Sequence, residues 1–516
     1  MRKLLMASAA ILGATGGIAL AQTAAPVAAP IAAPSQGQYS GPYGAGPAAN
    51  NNMNAWGIAN TPSGSAAAGP LSTLYAPNTD AVPAPGQIVI RLNGRVEADM
   101  TLNYTSADHN GAFKVNPVGL DTFARLYPSF DGVAANGVRF GASIEIRENF
   151  GSGTYNPGAF NGNAPTALAT APTASAYSSS QTLFVRRAFT YIATDQAGLL
   201  RIGQTDGVIG LFDPGIFTNQ LWDAGSGNLN GGDIQDTSVQ NPLGIPFVWL
   251  SQAGAEYGNQ KIVYLTPQFY GFDFAVQYAP NMGNSFADSG AGASCAVAGP
   301  TCINTTTGVD STRWFNQVAV GLRYMQSFGP VDFKAFGVYE TAGKESIAGG
   351  GILAGAAAKT TAVRSALNGA AGTLAYDNLS FYNFGIAVTT YNFTFAADYI
   401  GGDIGTSGQL AENPTGAPNS NSWLLGVTYA NGPWTAGVSA GWVQGQGAAA
   451  LTGISQRNEF ELGTGGSYKV APGLQLIAEY MYEQRHQGDF NFNTNAIGST
   501  GDSRGNSFLV GTVLSW

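Results

Sequence analysis

Six arginines in this chain fall at positions where a two-residue alternation separates charge from apolar side chains. Arg91 and Arg95 sit on the polar face of the run from Ile88 to Tyr104. Arg139 and Arg147 alternate with Val138, Phe140, Ala142, Ile144 and Ile146, and Arg201 shares a face with Leu199 and Gly203. Arg187 is placed with them, although its neighbour Arg186 fits the adjoining register equally well. Between Arg201 and Lys261 the chain has no lysine or arginine, yet it carries Asp206, Asp213, Asp223, Asp233, Asp236 and Glu256. Guanidinium groups stay charged at any physiological pH. Carboxylates facing them across a water-filled gap would create a transverse field in which a polar solute can orient its dipole. Two plainer readings remain open: ion pairs that brace a loop, and a solvated acidic surface.

Other chemistry is sparse. The only histidines are His109 and His486, both in stretches read as loops. No nucleophile, base and orienting group come together in the sequence, so catalysis is not expected. No metal motif and no cofactor motif occurs. Cys295 and Cys302 lie in a Gly/Ala/Thr-rich stretch without nearby histidine. In an exported protein that pattern favours a small loop disulfide over a metal site, with two buried free thiols as the alternative. A net charge of -9 and a pI near 4.7 argue against nucleic acid as a partner.

The elements that must position these groups are long strands. From Ile88 to Tyr104 the even positions are apolar or glycine and the odd ones mostly polar. At about 3.3 Å per residue such a run can cross a tilted bilayer, which takes roughly 9 to 11 residues. Similar segments are read near 87-104, 119-130, 137-150, 182-194, 198-206, 253-266, 271-280, 313-328, 331-340, 377-391, 393-400, 421-430, 434-444, 456-470, 474-485 and 504-516, about sixteen in all. Pro128 interrupts the second of them. Tight turns such as Gly329-Pro330, Asn431-Gly432-Pro433 and Ala471-Pro472-Gly473 alternate with longer stretches such as 281-312, 341-376, 401-420 and 486-503. Short turns at one end and long loops at the other describe a transmembrane antiparallel β-barrel, an all-β fold in contact with membrane lipid. Lipid cannot satisfy a free strand edge, so the sheet must close, and at this width it encloses water. Charged residues make up only 10% of the chain, and 71 residues are glycine. Tyrosines and tryptophans cluster near strand ends, among them Tyr104, Tyr278, Tyr324, Tyr399, Tyr429, Trp434, Trp442, Tyr480 and Tyr482.

The two ends carry their own signals. Arg2-Lys3, an apolar run from Leu4 to about Leu20, and Ala19-Leu20-Ala21 read as a signal peptide over 1-21, cleaved near Ala21. Residues 22-85 are rich in Ala, Pro, Gly, Ser and Asn with Asp80 as the sole charge, and read as a flexible periplasmic segment. A plug in a lumen and a hook to the cell wall are its alternatives. The barrel domain is expected over 86-516. Its last strand ends Gly511-Thr512-Val513-Leu514-Ser515-Trp516, with Trp516, Leu514, Thr512, Val510 and Phe508 on one face.

In sequence order these features resemble the Gram-negative general porin family. Arg186-Arg187-Ala188-Phe189 with Gly198-Leu199-Leu200-Arg201-Ile202-Gly203-Gln204 is similar to that family's paired strands before its third loop. Lys261-Ile262-Val263-Tyr264-Leu265-Thr266-Pro267 with Gly271-Phe272-Asp273-Phe274 and Gln277-Tyr278 is similar to the hairpin after it. The terminal pattern through Gly511, Leu514 and Trp516 resembles the signal read by the barrel-assembly machinery, with Trp in place of the usual Phe. The resemblance spans about 87 to 516. It implies a third loop, 207 to about 250, folded into the barrel as a constriction, a homotrimer packed through early strands, an outer-membrane location, and passage of small hydrophilic solutes and ions. Small outward residues Gly94, Ala98 and Ala142 would permit the trimer contact. A sugar- or anion-selective channel is the alternative, for which Phe189, Tyr191 and Phe336 would have to face inward.

Overall fold

Alternating patterns of this length can only pair with one another, and they do so around a closed circle. The computed structural model describes residues 85–106, 109–110, 113–114, 117–149, 184–194, 197–205, 207–212, 260–267, 269–281, 314–344, 377–404, 418–445, 456–491, 496–497 and 499–516. Among them the barrel strands are β1 (Ile88–Thr105), β2 (Val118–Val133), β3 (Arg139–Asn149), β4 (Phe184–Thr194), β5 (Gly198–Gln204), β6 (Gln260–Leu265), β7 (Phe272–Asn281) and β8 (Trp314–Phe328). The second half comprises β9 (Val331–Lys344), β10 (Leu379–Thr390), β11 (Phe393–Asp403), β12 (Ser420–Asn431), β13 (Trp434–Gly445), β14 (Arg457–Ala471), β15 (Leu474–His486) and β16 (Ser503–Ser515). Each pairs antiparallel with its sequence neighbours, and β1 pairs with β16, so these sixteen described strands form one closed barrel. One short helix, α1 (Val208–Phe212), follows β5. No helix among the described residues is long and apolar enough to cross a membrane.

The alternation sorts the two faces. On β1 the even residues Ile88, Ile90, Leu92, Met100 and Tyr104 are exposed on the outside, whereas Asp99, Thr101 and Asn103 are buried on the inside. The same division holds on β8, with Val318, Val320 and Leu322 outside and Gln317, Ala319 and Arg323 inside. Polar atoms inward and apolar atoms outward invert the arrangement of a soluble sheet, as an apolar solvent requires.

Outer aromatics form two belts. Toward the long loops, Tyr382 packs on Tyr399 at 5.9 Å and Tyr399 on Trp423 at 4.4 Å between ring centroids. Toward the short turns, Phe272 meets Tyr324 at 4.6 Å, Phe393 meets Tyr429 at 4.8 Å, and Trp434 meets Tyr468 at 4.4 Å. Trp434 and Trp442 lie in different belts on one strand, about 26 Å apart along it at 3.3 Å per residue. That spacing suits the two interfaces of a bilayer.

Two irregularities explain where the alternation was hard to follow. Pro128 lies inside β2 and pairs with Leu92 of β1, but pairing with β3 lapses between Leu126 and Ser129. Proline has no N–H to donate, so one ladder must skip it. On β4 the register to β3 shifts: Glu145 pairs with Arg187 and Ile146 with Val185, which leaves Arg186 as the extra residue of a bulge. Past a bulge the parity flips, so neighbouring residues there give no single answer from sequence.

The barrel closes on its last residue. Trp516 N–H donates to Gly94 O at 3.1 Å, and Gly94 N–H donates to Trp516 O at 3.2 Å. A Cβ at Gly94 would lie 2.8 Å or less from the indole ring of Trp516. The small residue at 94 was expected to leave room for a neighbouring subunit. It is instead buried beneath the chain's own terminal tryptophan, since an indole needs a surface without a side chain to lie flat on β1.

Candidate functional site: the inner wall of the barrel

The inner wall of β7 and β8 holds the start of the segment that follows β5. Val208 N–H donates to Gln277 Oε1 at 2.6 Å. Arg323 forms a two-pronged pair with Asp273, Nε to Oδ1 at 3.0 Å and Nη2 to Oδ2 at 2.6 Å. Its third nitrogen, Nη1, donates to Leu211 O at 3.1 Å, and its guanidinium lies 4.8 Å over the Phe212 ring. One arginine therefore satisfies a strand carboxylate and an end-of-helix carbonyl together, in the fork geometry that guanidinium favours. Gly321 gives α1 its seat, because a Cβ there would come 2.7 Å from Val208 Cγ1 and 2.8 Å from Phe212 Cε2.

Around this seat the inner face is apolar. Val208, Ile209, Leu211 and Phe212 are buried in one cluster with Leu199, Val263, Ala275, Ala319, Phe336 and Val338. Full burial of each large side chain contributes roughly 1.5 to 3 kcal/mol. So residues 207–212 run along the inside of the barrel, not away from it. Phe189 and Tyr191 also face inward but are covered, at 4% and 2% exposure, so they do not make an open aromatic track. Tyr191 OH donates to Asp131 across β2 to β4.

The expected basic residues occupy the arc from β1 to β5. Register aligns Arg95 with Arg125, and Arg125 with Arg147, in one row across three strands. Arg91 pairs with Ser129 in the same ladder. Only the backbones of Arg91, Arg95, Arg125, Arg147, Arg186 and Arg187 belong to the described part. Arg139, half-buried, lies near the short-turn end opposite Val133 and Ala193. Arg201 is 1% exposed. Its guanidinium lies 5.1 Å over Phe189, and Nη1 donates to Thr205 Oγ1 at 3.4 Å. Asp206, Asp213, Asp223, Asp233, Asp236 and Glu256 fall outside the described residues, as do Cys295 and Cys302.

Several inward charges were not singled out in the sequence. Lys261 and Arg323 are basic; Asp99, Asp273, Glu340, Asp398, Glu459, Glu461, Glu479 and Glu483 are acidic and buried. The signal that could have found them was present. On β14 and β15 the glutamates recur at every second or fourth residue between outward Phe460, Tyr480 and Tyr482, the same parity that marked Arg91 and Arg95. Asn383 donates to Asp398, and Gln317 to Glu340, so neutral amides partner two of the carboxylates. Among the described residues no group of three His, Cys, Asp or Glu side chains could hold a metal ion.

Comparison with known proteins adds the following. A family profile described as Gram-negative porin matches residues 7–488. No curated protein matches the chain significantly. Similar solved structures include a loop-deletion mutant of OmpT, an outer membrane protein of Vibrio cholerae, at 11% identity and a TM-score of 0.44, covering 83% of this chain and 99% of that one. An anion-selective porin from Comamonas acidovorans is similar at 14% identity and 0.44, over 83% and 100%. Salmonella typhi OmpF in complex with daunomycin is similar at 12% identity and 0.44, over 83% and 97%.

Proposed function

We propose that a charged constriction filters solutes within this chain, which belongs to the Gram-negative porin family and forms an outer-membrane diffusion channel. The observation that carries the proposal is α1, held against the inner wall by Arg323, Gln277 and the gap above Gly321. The chain continues from α1 into 213–250, which contains Asp213, Asp223, Asp233 and Asp236 and no lysine or arginine. Across the lumen the row Arg95, Arg125 and Arg147, with Arg91, Arg139, Arg187 and Arg201, supplies the positive side. Asp206 stands between β5 and α1.

In such a field water and small polar solutes orient at little cost. An apolar solute must displace ordered water without a compensating interaction. The chain performs no catalysis in this reading and needs no cofactor. Its partners are lipid, the assembly machinery through Gly511, Leu514 and Trp516, and further copies of itself. A homotrimer would pack through β1 to β5, whose exposed outer residues are mainly aliphatic (Ile88, Ile90, Leu92, Leu120, Ile144, Ile192, Ile202). A signal peptide ending near Ala21 would direct export, and Cys295 and Cys302 would pair after it.

Reversal potentials in a salt gradient test the constriction. The intact channel should prefer cations modestly, and Asp223→Asn with Asp233→Asn should move the reversal potential toward zero. Clear anion selectivity of the unmodified channel, or no change in the double variant, would refute the acidic role of the loop.

A further inference from the structure

The inner wall of β12 to β14 carries a shallow trough of small residues. Ser439 of β13 has Gly437 and Gly441 two places away along its own strand, Gly426 opposite it on β12 and Gly463 opposite it on β14. Thr428 of β12 is flanked in the same way by Gly426 and Ala430 along the strand, by Gly437 on β13 and by Thr394 on β11. On the wall of a water-filled lumen, a side chain ringed by glycines has nothing beside it to shut out water. Ser439 is nevertheless 4% exposed, and Thr428 3%. Thr435, Ser467 and Gln475, toward the short-turn ends of β13, β14 and β15, are buried as well.

No described element outside the barrel strands lies over this trough. α1 rests on β7, β8 and β9, on the far side of β10 and β11. The short pairs His109–Asn110 with Phe113–Lys114, and Phe490–Asn491 with Ala496–Ile497, belong to connections at the long-loop end. Longer side chains on the same wall do not shade it from the open lumen either, since Glu461 and Met481 are themselves buried. Ser439 Oγ, Thr428 Oγ1 and Gln475 Oε1 have no hydrogen-bond partner among the described residues. Buried polar atoms in that condition call for partners brought by whatever covers them.

The chain offers an occupant at the right end. Gly86 N–H donates to Val133 O at 2.6 Å, which fixes the start of β1 at the short-turn rim. Before it stand the 64 residues from 22 to 85, rich in Ala, Pro, Gly, Ser and Asn, with Asp80 as the sole charge. At about 3.1 Å per residue, a third of that length exceeds the length of β13. Proline-rich backbone makes no internal hydrogen bonds, so its carbonyls can accept from Ser439 and Thr428 and its N–H groups can donate to Gln475. A wall of glycines lets such a backbone approach closely. Other segments fit less well. Residues 446–455 join β13 to β14 at the opposite end, and half of them extended reach about 17 Å, whereas Ser439 lies about 20 Å below Gly445. Residues 213–259 carry Asp213, Asp223, Asp233, Asp236 and Glu256 without a cation, and those charges would lose their water against an uncharged wall.

We propose that residues 22–85 enter the lumen from the short-turn end and lie along the trough of β12 to β14 as a plug that narrows the channel. The effect on current rests on the lumen being the permeation path; the placement of the segment does not. Two readouts therefore test it separately. Ser439→Cys, in a chain that also carries Cys295→Ser and Cys302→Ser, is treated with a small water-soluble maleimide. In the folded full chain that position should resist the reagent, and deletion of residues 22–85 should remove the protection. Single-channel conductance should rise about twofold in the same deletion, because the open cross-section grows. Deletion of residues 22–70 should act in the same direction and keeps the test available if the longer deletion does not fold. Labelling in the full chain, protection that persists in the folded deletions, or an unchanged conductance would overturn the plug. Persistent protection would assign the cover to one of the long connections 150–183, 282–313 or 345–376. No conductance in any of these proteins would overturn the channel reading instead, while the labelling still decides where residues 22–85 lie.

Discussion

The wall of β7 to β9 and the wall of β14 to β16 follow the same alternation, yet their inner faces differ. On β7 to β9, Ala275, Ala279, Ala319, Phe336 and Val338 are buried in the cluster that includes α1, and Asp273 and Arg323 are consumed in one fork. On β14 and β15 the equivalent positions carry Glu459, Glu461, Glu479, Glu483, Arg457 and Arg485. Outside, both walls expose large apolar side chains, among them Val320 and Leu322 on the first and Phe460, Leu476 and Phe508 on the second. The outer face answers to one solvent everywhere, whereas the inner face changes character strand by strand according to what lies over it. A lumen is therefore a set of local environments, and its filtering properties can be distributed around the wall.

The severest way to break the second wall is at its seam with β1. Gly94→Leu places a branched side chain where the Trp516 indole lies, and both hydrogen bonds between residues 94 and 516 are then opposed by a clash. The heat-modifiable folded band on a gel should be lost or strongly reduced. Trp516→Ala, which removes the ring without a clash, should retain folding but lower stability by about 2 kcal/mol. If Gly94→Leu folds as well as the parent, the seam is not closed by this contact.

A narrower break falls on the first wall. Arg323→Met keeps volume but leaves the Asp273 carboxylate buried without its partner, at a cost of about 3 to 5 kcal/mol. It also frees the Leu211 carbonyl, so α1 should loosen and single-channel conductance should rise. Adding Asp273→Leu removes the stranded charge, so urea resistance should recover while conductance stays raised. Recovery of both would mean that the ion pair is structural and α1 is held by its apolar side chains alone.

The contrast between the walls also shows what the sequence disclosed. Strand positions were legible because period two survives in runs such as Ile88 to Tyr104, and the segments read at 331-340 and 434-444 are found as Val331–Lys344 and Trp434–Gly445. The limits of β2 were not, since Pro128 hides a strand that runs to Val133. The choice between Arg186 and Arg187 could not be made either, because a bulge changes parity between them. Arg125 was missed although it sits in line with Arg95 and Arg147: alignment across strands depends on register, which no single strand encodes. The clamp of Arg323 on Asp273 and Leu211 joins residues far apart in the chain, so parity could mark Arg323 as inward without revealing its partner. The glutamates of β14 and β15 were legible by parity, but their charge near an already acidic average gave no contrast to catch.

The smallest effect is expected at the rim above the charged wall. Asp502 precedes β16, and its Oδ1 lies 2.6 Å from His486 Nδ1 at the end of β15. Its Oδ2 accepts from Arg504 Nη2 at 3.2 Å and from Gln484 Nε2 at 3.4 Å. The backbone beside it is tied to β1, because Arg504 N–H donates to Ser106 Oγ at 3.0 Å. The hydrogen bond from His486 holds the Asp502 carboxyl below its ordinary value, helped by the charges of His486 and Arg504 and opposed by burial. A depressed carboxylate contributes stability that is fully present above the unfolded value of about 3.9 and is lost as pH falls through the lower folded value. The parent should therefore lose stability on going from pH 5 to pH 2.5, by less than about 1 kcal/mol from this group because the cluster is partly solvated. In Asp502→Asn that increment should be missing already at pH 5, so the difference between the two proteins should shrink as the pH is lowered. Urea midpoints at the two pH values measure it. A difference that stays constant or grows toward acid would show that Asp502 acts through shape, not charge, and would leave the charged wall held to β1 by the Trp516 seam and the strand ladder alone.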